Sequence, residues 1–260
     1  MASYPERIIC LTEESVETLF HLGEEHRIVG VSAYVERPVE AKKIKKVSAF
    51  TSANIGKILE LKPDLVLGFS DIQKDIARDL IGAGINVYFA NHRSLEEILN
   101  YILCLGSLVG KKEEALELIS TLEKNLLKAS EFSKTLSRKP RVYIEEWDEP
   151  MISGIKWFSE LIEACGGVDI FSQKSQQSLA PDRIVSNKDV ISSNPDFIFG
   201  CWCGKKVDID QIKSREGYLN IEAVKNNRVF ELDPAIFLQP GPAPFIDGIP
   251  KIINFFKDFK

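Results

Sequence analysis

The segment from Lys112 to Leu136, KEEALELISTLEKNLLKASEFSKTL, lies at the middle of the chain and sets its plan. Its apolar residues recur at steps of three and four, which places them on one stripe of an α-helix with charged residues opposite. No Gly or Pro interrupts the pattern. At about 1.5 Å per residue the helix extends roughly 38 Å. We interpret it as a spine that joins two lobes, with an ordinary packed helix as the alternative.

Strand and helix patterns alternate on both sides of this segment. The predicted strands are 7–11, 27–31, 65–68, 87–89, 141–145, 197–199 and 229–232. The other predicted helices are 14–22, 75–81, 95–108, 157–165, 185–191 and 249–256. The alternation predicts an α/β fold of two Rossmann-like lobes with mostly parallel sheets, joined by one long α-helix. The predicted domains are 1–110 (N-terminal lobe), 111–137 (spine helix) and 138–260 (C-terminal lobe).

One motif occurs twice. Residues 58–68 read ILELKPDLVLG and residues 190–200 read VISSNPDFIFG. Each has a helix end, a Pro-Asp pair, three apolar β-type residues and a Gly, and the prolines are 195 − 63 = 132 residues apart. This repeat is typical of two similar lobes, although Pro-Asp before a strand is also common punctuation.

The composition is that of an ordinary soluble globular protein. The chain has 260 residues, of which 44% are hydrophobic and 27% charged, and a net charge of −5. Without a basic block or interleaved basic and aromatic residues, nucleic acid is not an expected partner. No apolar run approaches the roughly 18 residues that a membrane-spanning helix needs. We expect a monomer.

The location that we expect from the sequence as it stands is cytoplasmic. Met1 to Arg7 continue directly into the first predicted strand, without the pattern of an export signal. The odd count of five Cys, without the spacing of a disulfide framework, also favours a reducing compartment. A periplasmic or extracellular protein from which the signal was removed is the alternative.

Candidate ligand contacts follow the predicted strands, because ligands of open parallel sheets lie beyond the carboxyl ends of the strands. The residues at these ends are mainly aromatic or acidic, and few are Lys or Arg. Aromatic side chains suit a large, partly planar ligand. The candidates at the strand ends are Tyr34, Phe50, Phe69, Glu146, Trp147, Met151, Trp157, Trp202 and Phe237.

Other chemistries have weak support in the sequence. No His/Cys/Asp/Glu spacing fits a metal site, and Cys201-x-Cys203 is best read as two ordinary thiols. Nucleophile-elbow, P-loop and dinucleotide-binding motifs do not occur. The carboxylates in the run from Glu145 to Glu149 offer an acid/base pair, but such a run is more often a solvated loop. We therefore predict that the chain is not an enzyme.

The chain resembles a known family, the cobalamin-binding proteins. They belong to the class III solute-binding proteins of ABC importers, a group that also includes siderophore and haem binders. The resemblance runs from about Pro5 to Phe256. It is carried by the segments PERIICLTEESVETLFHLG, RIVGVSAYVERP, KILELKPDLVLG, RVYIEEWDEPMISG and ELIEACGGVDIF. It implies two Rossmann-like lobes, one long connecting helix and a ligand held between the lobes.

The resemblance assigns ligand contacts to particular positions. Tyr34 matches a ligand-contacting tyrosine, Phe50 and Phe69 stand where cobalamin binders have tryptophans, and Met151 stands where they have a phenylalanine. The segment FLQPGPAPF departs from the family, because Ala235 and Gln239 replace an Asp and an Arg. Gln239 completes the set of predicted ligand-binding residues. Trp147, Trp157 and Trp202 are the residues that we expect to compensate.

The resemblance also concerns the partner. Family importers dock on arginines of the permease through one exposed acid on each lobe, and these positions here are Gly56 and Lys188. Such replacements should weaken docking on an ABC permease, unless Asp189 substitutes. The segments Glu146-Trp147-Asp148-Glu149-Pro150 and Pro240-Gly241-Pro242 are similar to those of a cytoplasmic branch of the family.

The expected ligand is a cobalamin-like corrinoid, bound without a cofactor of the protein's own. The acidic strand ends should repel anionic siderophores and haem, whereas a neutral or weakly cationic corrinoid suits aromatic contacts. The alternatives are another bulky metal chelate, a corrinoid carrier or sensor in the cytoplasm, and an enzyme that uses Glu145–Glu149. For His92, after a strand end, a hydrogen-bonding role is favoured over axial ligation of cobalt.

Overall fold

The computed structural model describes residues 3–259, which divide into two compact units. Unit 1 comprises residues 3–92, 96–122 and 240–242, and unit 2 comprises residues 93–95, 123–239 and 243–259. The predicted α/β class with mostly parallel sheets is confirmed. The division runs inside the central helix, which the sequence analysis treats as a segment of its own, 111–137. The three domain boundaries stay a prediction.

Unit 1 is built around a parallel sheet. Its described strands are β1 (Ile8–Cys10), β2 (Ile28–Ser32), β3 (Lys46–Ser48), β4 (Leu65–Phe69) and β5 (Val87–Ala90). Its helices include α1 (Glu13–His21), α2 (Ile55–Glu60), α3 (Lys74–Gly82) and α4 (Leu95–Leu108). The strand order is β3-β2-β1-β4-β5, and all pairs are parallel. β2 and β3 lie on one side of β1, and β4 and β5 lie on the other, so the topological switch point is between β1 and β4.

The strands at this switch point are the most deeply buried part of unit 1. Every residue of β1 and β4 is buried, as continuous apolar runs of a parallel sheet covered on both faces require. Ile9 of β1, Val66 of β4 and Leu80 of α3 belong to one hydrophobic cluster. The sheet therefore holds the loops after β1 and β4 on a rigid base.

The central helix is α5 (Lys112–Ser133), three residues shorter than the predicted 112–136. It begins two residues after Gly110, which has the left-handed φ of +75° that Gly adopts without strain. Ala115, Leu122 and Ala129, spaced by seven, form its fully buried stripe. The stripe that the sequence predicts is thus confirmed, with residues up to Leu122 in unit 1 and residues from Glu123 in unit 2.

Unit 2 has a mixed sheet. Its described strands are β6 (Arg141–Asp148), β7 (Met151–Ser153), β8 (Val168–Asp169), β9 (Phe197–Gly200) and β10 (Val229–Glu231). Its helices are α6 (Lys156–Ala164), α7 (Ser172–Ser175), α8 (Asn187–Ser193), α9 (Ile209–Ser214), α10 (Glu222–Lys225), α11 (Pro234–Phe237) and α12 (Ile249–Phe256). The strand order is β10-β9-β6-β7, β8 also pairs with β6, and β7 is antiparallel to β6.

The internal repeat is structural as well as sequential. Asp64 accepts hydrogen bonds from the backbone N–H groups of Glu6 and Arg7, and Asp196 accepts one from the N–H of Arg141. The side chain of Arg7 donates to the carbonyl oxygen of Leu61, and that of Arg141 donates to the carbonyl oxygen of Ser193, each at the end of the helix before the Pro-Asp pair. The residues before the prolines, Lys62 and Asn194, both have a left-handed φ, of +47° and +40°. Each Pro-Asp pair therefore fixes the start of one strand against the first strand of its own unit.

Some short elements were absent from the sequence prediction. The strands β3, β7 and β8 have two or three residues each, too few for a periodic pattern. The 3₁₀-helices are Glu25–Arg27, Val39–Lys43, Asp71–Gln73, Ala180–Arg183 and Tyr218–Asn220, and Pro244–Gly248 is a π-helix. Within residues 3–259, none of the helices has the length and apolar character needed to cross a membrane.

Candidate ligand-binding site

Two of the predicted aromatic contacts in unit 1 are exposed at the carboxyl ends of neighbouring strands. Tyr34, two residues after β2, is 59% exposed, and Phe50, two residues after β3, is 39% exposed. Their position beyond the sheet places flat apolar area where ligands of parallel sheets bind.

Gln73 connects the ends of β3 and β4, and no sequence pattern indicated this role. Its side-chain amide donates to the carbonyl oxygen of Phe50 at 2.8 Å, and its side-chain carbonyl accepts from the backbone N–H of Phe69 at 3.0 Å. Gln73 is fully buried. It therefore holds the backbone that carries Phe50 in a fixed position relative to β4.

Phe69 lies in a buried ring cluster rather than on the surface. It contacts the edge of His92 with ring centroids 5.1 Å apart, and His92 stacks on Tyr101 at 4.2 Å. His92 Nε2 is 2.9 Å from the carbonyl oxygen of Pro240, which only a protonated nitrogen can approach favourably. The favoured hydrogen-bonding interpretation of His92 agrees with this geometry, and direct contact of Phe69 with a ligand stays a prediction.

The loop after β1 buries two carboxyl groups at the start of α1. Glu13 accepts from the backbone N–H of Glu36 at 3.0 Å, and Glu14 accepts from the hydroxyl of Thr12. Burial raises the pKa of Glu13 to about 8, against the lowering effect of that backbone hydrogen bond. Burial likewise raises the pKa of Glu14 to about 7. These groups are therefore neutral over much of the range below pH 7.

In unit 2 the carboxyl end of β6 carries a buried ion pair. Glu145 is fully buried and accepts from Arg215 Nη2 at 2.9 Å and from the indole Nε1 of Trp202 at 3.1 Å. Trp202 is only 2% exposed and belongs to the hydrophobic core of the unit. The Trp202 indole is thus held in one position by core packing and by its hydrogen bond to Glu145. Direct contact of Trp202 with a ligand stays a prediction.

The carboxylate run is not the solvated loop that the sequence favoured. Residues up to Asp148 belong to β6. Glu146 pairs with Arg183 Nη1 at 2.6 Å and accepts from the backbone N–H of Ile155 at 2.8 Å. Burial raises the pKa of Glu146, and Arg183 opposes that rise. Glu145, Glu146 and Asp148 are therefore strand residues whose carboxylates are fixed by partners, whereas Glu149 is exposed in the turn that follows.

The predicted acidic character of this edge is wrong for unit 2. Asp148 pairs with Lys205 Nζ at 2.5 Å, so three carboxylates at the end of β6 meet three cations. The cations stand 37, 57 and 70 residues away in sequence, in segments with no strand-end pattern. Reasoning from strand ends alone therefore missed Arg183, Lys205 and Arg215.

Trp147 and Met151 are the half-buried candidates of unit 2. Trp147 Nε1 donates to the carbonyl oxygen of Glu149 at 2.9 Å, which leaves its ring face toward Lys205. The Met151 sulfur lies 3.2 Å from Arg215 Nη1. A cavity of about 330 Å³ adjoins Met151 and is lined by Asp148, Glu149, Met151, Asn187, Gln211 and Arg215.

Trp157 and Phe237 contact each other inside unit 2. Trp157 Nε1 donates to the carbonyl oxygen of Phe237 at 2.9 Å, and the Phe237 ring stacks on Phe158 with centroids 5.0 Å apart. Both residues are buried, whereas Gln239 is half-buried. Their packing accounts for Trp157 and Phe237 as core residues, and their role toward a ligand stays a prediction.

The described part of the chain has no cluster of side chains suited to binding a metal ion. Within residues 3–259 no group of three His, Cys, Asp or Glu side chains is arranged to hold a metal ion. Of the five cysteines, Cys10, Cys165 and Cys201 are buried, and Cys104 and Cys203 are exposed. Burial raises the pKa of the Cys10 and Cys165 thiols to about 12, so these groups are inert.

Comparison with known proteins gives the family. A family model described as periplasmic binding protein matches residues 8–236, most of the chain. The chain belongs to this periplasmic binding protein family. Like its relatives, it is a solute-binding protein of the ABC-transporter type. The resemblance that the sequence motifs indicated is thereby confirmed.

The relatives are distant but nearly full-length. An uncharacterized ABC transporter substrate-binding lipoprotein, YvrC of Bacillus subtilis, is 27% identical, covering 95% of this chain and 79% of its own. A vitamin B12-binding protein of Vibrio parahaemolyticus is 25% identical over 100% of this chain and 93% of its own. A crystal structure from Staphylococcus epidermidis, described as a possible iron-binding (periplasmic solute-binding) protein, superimposes with a TM-score of 0.83. It is 26% identical, over 99% of this chain and all of that one.

Proposed function

We propose that this protein reversibly binds a cobalamin-like corrinoid at the carboxyl ends of its strands. The observation that carries the proposal is the pair of exposed rings, Tyr34 and Phe50, at the ends of adjacent strands of unit 1. Flat apolar rings match the broad face of a macrocycle. The vitamin B12-binding relatives, at 25% identity over the whole chain, support the same ligand class.

Charge at the end of β6 supports a ligand without strong net charge. Glu145, Glu146 and Asp148 are each paired with a cation, so this edge presents neither a surplus of carboxylates nor free arginines. A ligand with several carboxylates would find no unpaired cation among these groups. This pairing replaces the acidic repulsion that the sequence suggested as the reason for a neutral ligand.

Another bulky metal chelate, such as haem or a ferric siderophore, is the second candidate. It is favoured by the structural likeness to a protein described as possibly iron-binding, at 26% identity. An enzyme that uses the run from Glu145 to Glu149 is a weaker candidate. Glu145 and Glu146 are committed to arginines, and a group fixed in an ion pair is a poor proton shuttle.

Titration by absorbance and calorimetry with cyanocobalamin, cobinamide, haem and a ferric siderophore tests the proposal. We expect tightest binding to one of the corrinoids. Replacing Tyr34 by Ala should weaken that binding by roughly 5- to 20-fold, since an aromatic contact contributes about 1–2 kcal/mol. The exposed Leu219, on the 3₁₀-helix Tyr218–Asn220, provides a control as Leu219→Ala. Tighter binding of haem or the siderophore than of either corrinoid would contradict the proposal.

For the partner, we propose weak docking on an ABC permease through the usual positions. Gly56 lies in α2 and Lys188 in α8, and neither supplies a carboxylate. Asp189, the expected substitute, forms a capping box with Ser186, which lowers its pKa and holds its carboxylate at the helix start. Transport assays in which Gly56→Glu and Lys188→Glu are combined should show a gain in uptake over the native chain.

We also propose a cytoplasmic location, with a periplasmic one as the alternative. Cysteine thiols such as the exposed Cys104 suit a reducing compartment. Fractionation of cells that express the intact gene provides the test. Recovery of the protein in the periplasmic or membrane fraction would contradict the proposed location without affecting the ligand.

A further inference from the structure

Lys205 occupies a position between two tryptophans at the ligand-facing edge of unit 2. Its Nζ lies 4.3 Å from the ring centroid of Trp147 and 4.8 Å from that of Trp202. The same ammonium pairs with Asp148 Oδ1 at 2.5 Å. Asp148 ends β6, at a strand end where ligands of such sheets bind, and Lys205 reaches it from the loop five residues after the end of β9.

Three groups stabilise the positive charge of the Lys205 ammonium. The two ring faces attract the cation through their quadrupoles, and the carboxylate supplies a full negative charge. The Asp148 side chain is only 7% exposed, whereas the Lys205 side chain is 40% exposed. A carboxylate so far removed from water depends on its partner, and it therefore holds the more exposed lysine in place.

The other two cations that contact carboxylates of β6 are already paired. Arg215 is bound to Glu145, and Arg183 is bound to Glu146. Among the residues that fix the end of β6, Lys205 is therefore the cation that solvent reaches most easily. Its availability decides whether this edge attracts an anionic group.

We propose that the Asp148–Lys205 pair, held between Trp147 and Trp202, selects ligands by charge: it withholds the lysine from carboxylate-bearing ligands and so favours uncharged ones. The inference deepens the proposed function and rests on it for the identity of the ligand. Asp148 thereby acts as a specificity-determining residue without contacting the ligand itself. The ring face of Trp147 is covered by the lysine in the same arrangement.

Quenching of tryptophan fluorescence tests the pair without any ligand. Trp157 and Trp202 are buried, so the half-buried Trp147 supplies the accessible signal beside Lys205. The readout is the quenching constant of iodide divided by that of neutral acrylamide. We expect Asp148→Asn to raise this ratio by roughly 2-fold or more, and Lys205→Met to lower it. The exposed pair of Glu222 and Lys225 supplies the control Glu222→Gln, which should leave the ratio unchanged.

Binding of cyanocobalamin, which is uncharged, and haem, which carries two propionates, tests the selection itself. In Asp148→Asn we expect haem to bind roughly 3- to 10-fold more tightly and cyanocobalamin to change less than 2-fold. In Lys205→Met haem should bind more weakly than to the native chain. An iodide ratio unchanged in both variants, or shifted in the same direction, overturns the inference. An equal gain for both ligands in Asp148→Asn also overturns it.

The failure of this inference is distinguishable from that of the proposed function. A native chain that binds haem but not a corrinoid refutes the corrinoid proposal, while the iodide ratio still decides the role of the pair. A native chain that binds cyanocobalamin, with unaltered discrimination in Asp148→Asn, refutes the selection and leaves the corrinoid proposal standing.

Discussion

Glu145 shows how a single residue at a strand end is committed by its surroundings. Its carboxylate has no contact with solvent and is held by Arg215 and by the indole of Trp202. Burying two charges costs desolvation energy that their attraction only roughly offsets, so the pair gives position more than stability. Each partner is therefore much more costly to remove alone than together with the other.

The first prediction concerns this pair. Arg215→Met leaves Glu145 buried without its cation and should lower the free energy of unfolding by about 3–5 kcal/mol. Urea unfolding followed by circular dichroism measures it. The double variant Glu145→Gln, Arg215→Met should recover part of the loss, and Glu222→Gln should change stability by less than about 0.5 kcal/mol. A loss of under about 1 kcal/mol in Arg215→Met would contradict the assigned role.

The second prediction is a pH dependence set by Glu13 and Glu14. Their folded pKa values of about 8 and about 7 lie above the ordinary value of 4.5, so the folded protein binds more protons than the unfolded chain between these limits. Stability from these groups is complete below pH 4.5 and is lost as pH rises through 7 and 8. We expect the unfolding free energy to fall by roughly 6 kcal/mol between pH 5 and pH 8, with the larger share from Glu13.

Denaturant unfolding at several pH values checks this slope. The variants Glu13→Gln and Glu14→Gln keep a neutral side chain at every pH, so each should flatten the decline. Glu222→Gln, which changes an exposed side chain, should retain the native slope. Stability that rises between pH 5 and pH 8 would show that both groups are ionised in the folded state.

At the scale of elements, the first helix of unit 1 is covered by a short segment from late in the chain. Pro240, Gly241 and Pro242 belong to unit 1, and the carbonyl oxygen of Pro240 contacts His92. Gly241 lies so close to α1 that an added Cβ would be 2.8 Å from Glu14 Cβ and 3.1 Å from its Cα. Gly is therefore required here by space rather than by backbone conformation.

The third prediction follows from that close approach. Gly241→Ala should destabilise the protein by about 1–3 kcal/mol, because the neighbour includes backbone that cannot move aside easily. A matched control is Gly82→Ala at the end of α3, where an added Cβ meets nothing within 4 Å. Thermal unfolding of both variants provides the comparison. Equal midpoints would show that α1 and the segment 240–242 do not pack as described.

At the scale of the whole molecule, α5 supplies residues to both units. The division falls between Leu122 and Glu123, inside an uninterrupted helix. Fraying of this helix is therefore expected to affect both hydrophobic cores. Its exposed residues near the division offer sites where backbone alone can be disturbed.

The fourth prediction uses Lys124, an exposed residue in the middle of α5. Lys124→Pro removes a helical hydrogen bond and should cost about 3 kcal/mol or more, whereas Lys124→Ala should be neutral or slightly stabilising. The expected decrease in melting temperature is roughly 6–12 °C for a chain of this size. Calorimetry measures it, and a decrease under about 2 °C would mean that continuity of α5 is unimportant.

The sequence predicted the long elements well because their patterns are local. The bounds of α4 and α12 agree with the predicted 95–108 and 249–256, since each has a complete amphipathic stripe. The Pro-Asp repeat also located β4 and β9. β3, with the sequence Lys-Val-Ser, has one apolar residue and so lacks the apolar run that located the equally short β1.

The site was harder to predict, because strand ends give position and not environment. Tyr34 and Trp202 both follow strands, yet one is largely exposed and the other is in a core. The partners that decide the charge of the edge, such as Arg215 and Lys205, come from distant segments and meet β6 only in three dimensions. No local pattern contains that information.

The late arrival of residues 240–242 has a consequence for synthesis. During synthesis Glu14 and His92 emerge from the ribosome early. The segment 240–242, which contacts them, emerges only after the 117 residues of unit 2 from 123 to 239 have been added. At roughly 5–20 residues per second, that delay is about 6–23 s. During it the nascent amino-terminal half has an uncovered surface that a chaperone can occupy. The half that is translated first is therefore completed almost last.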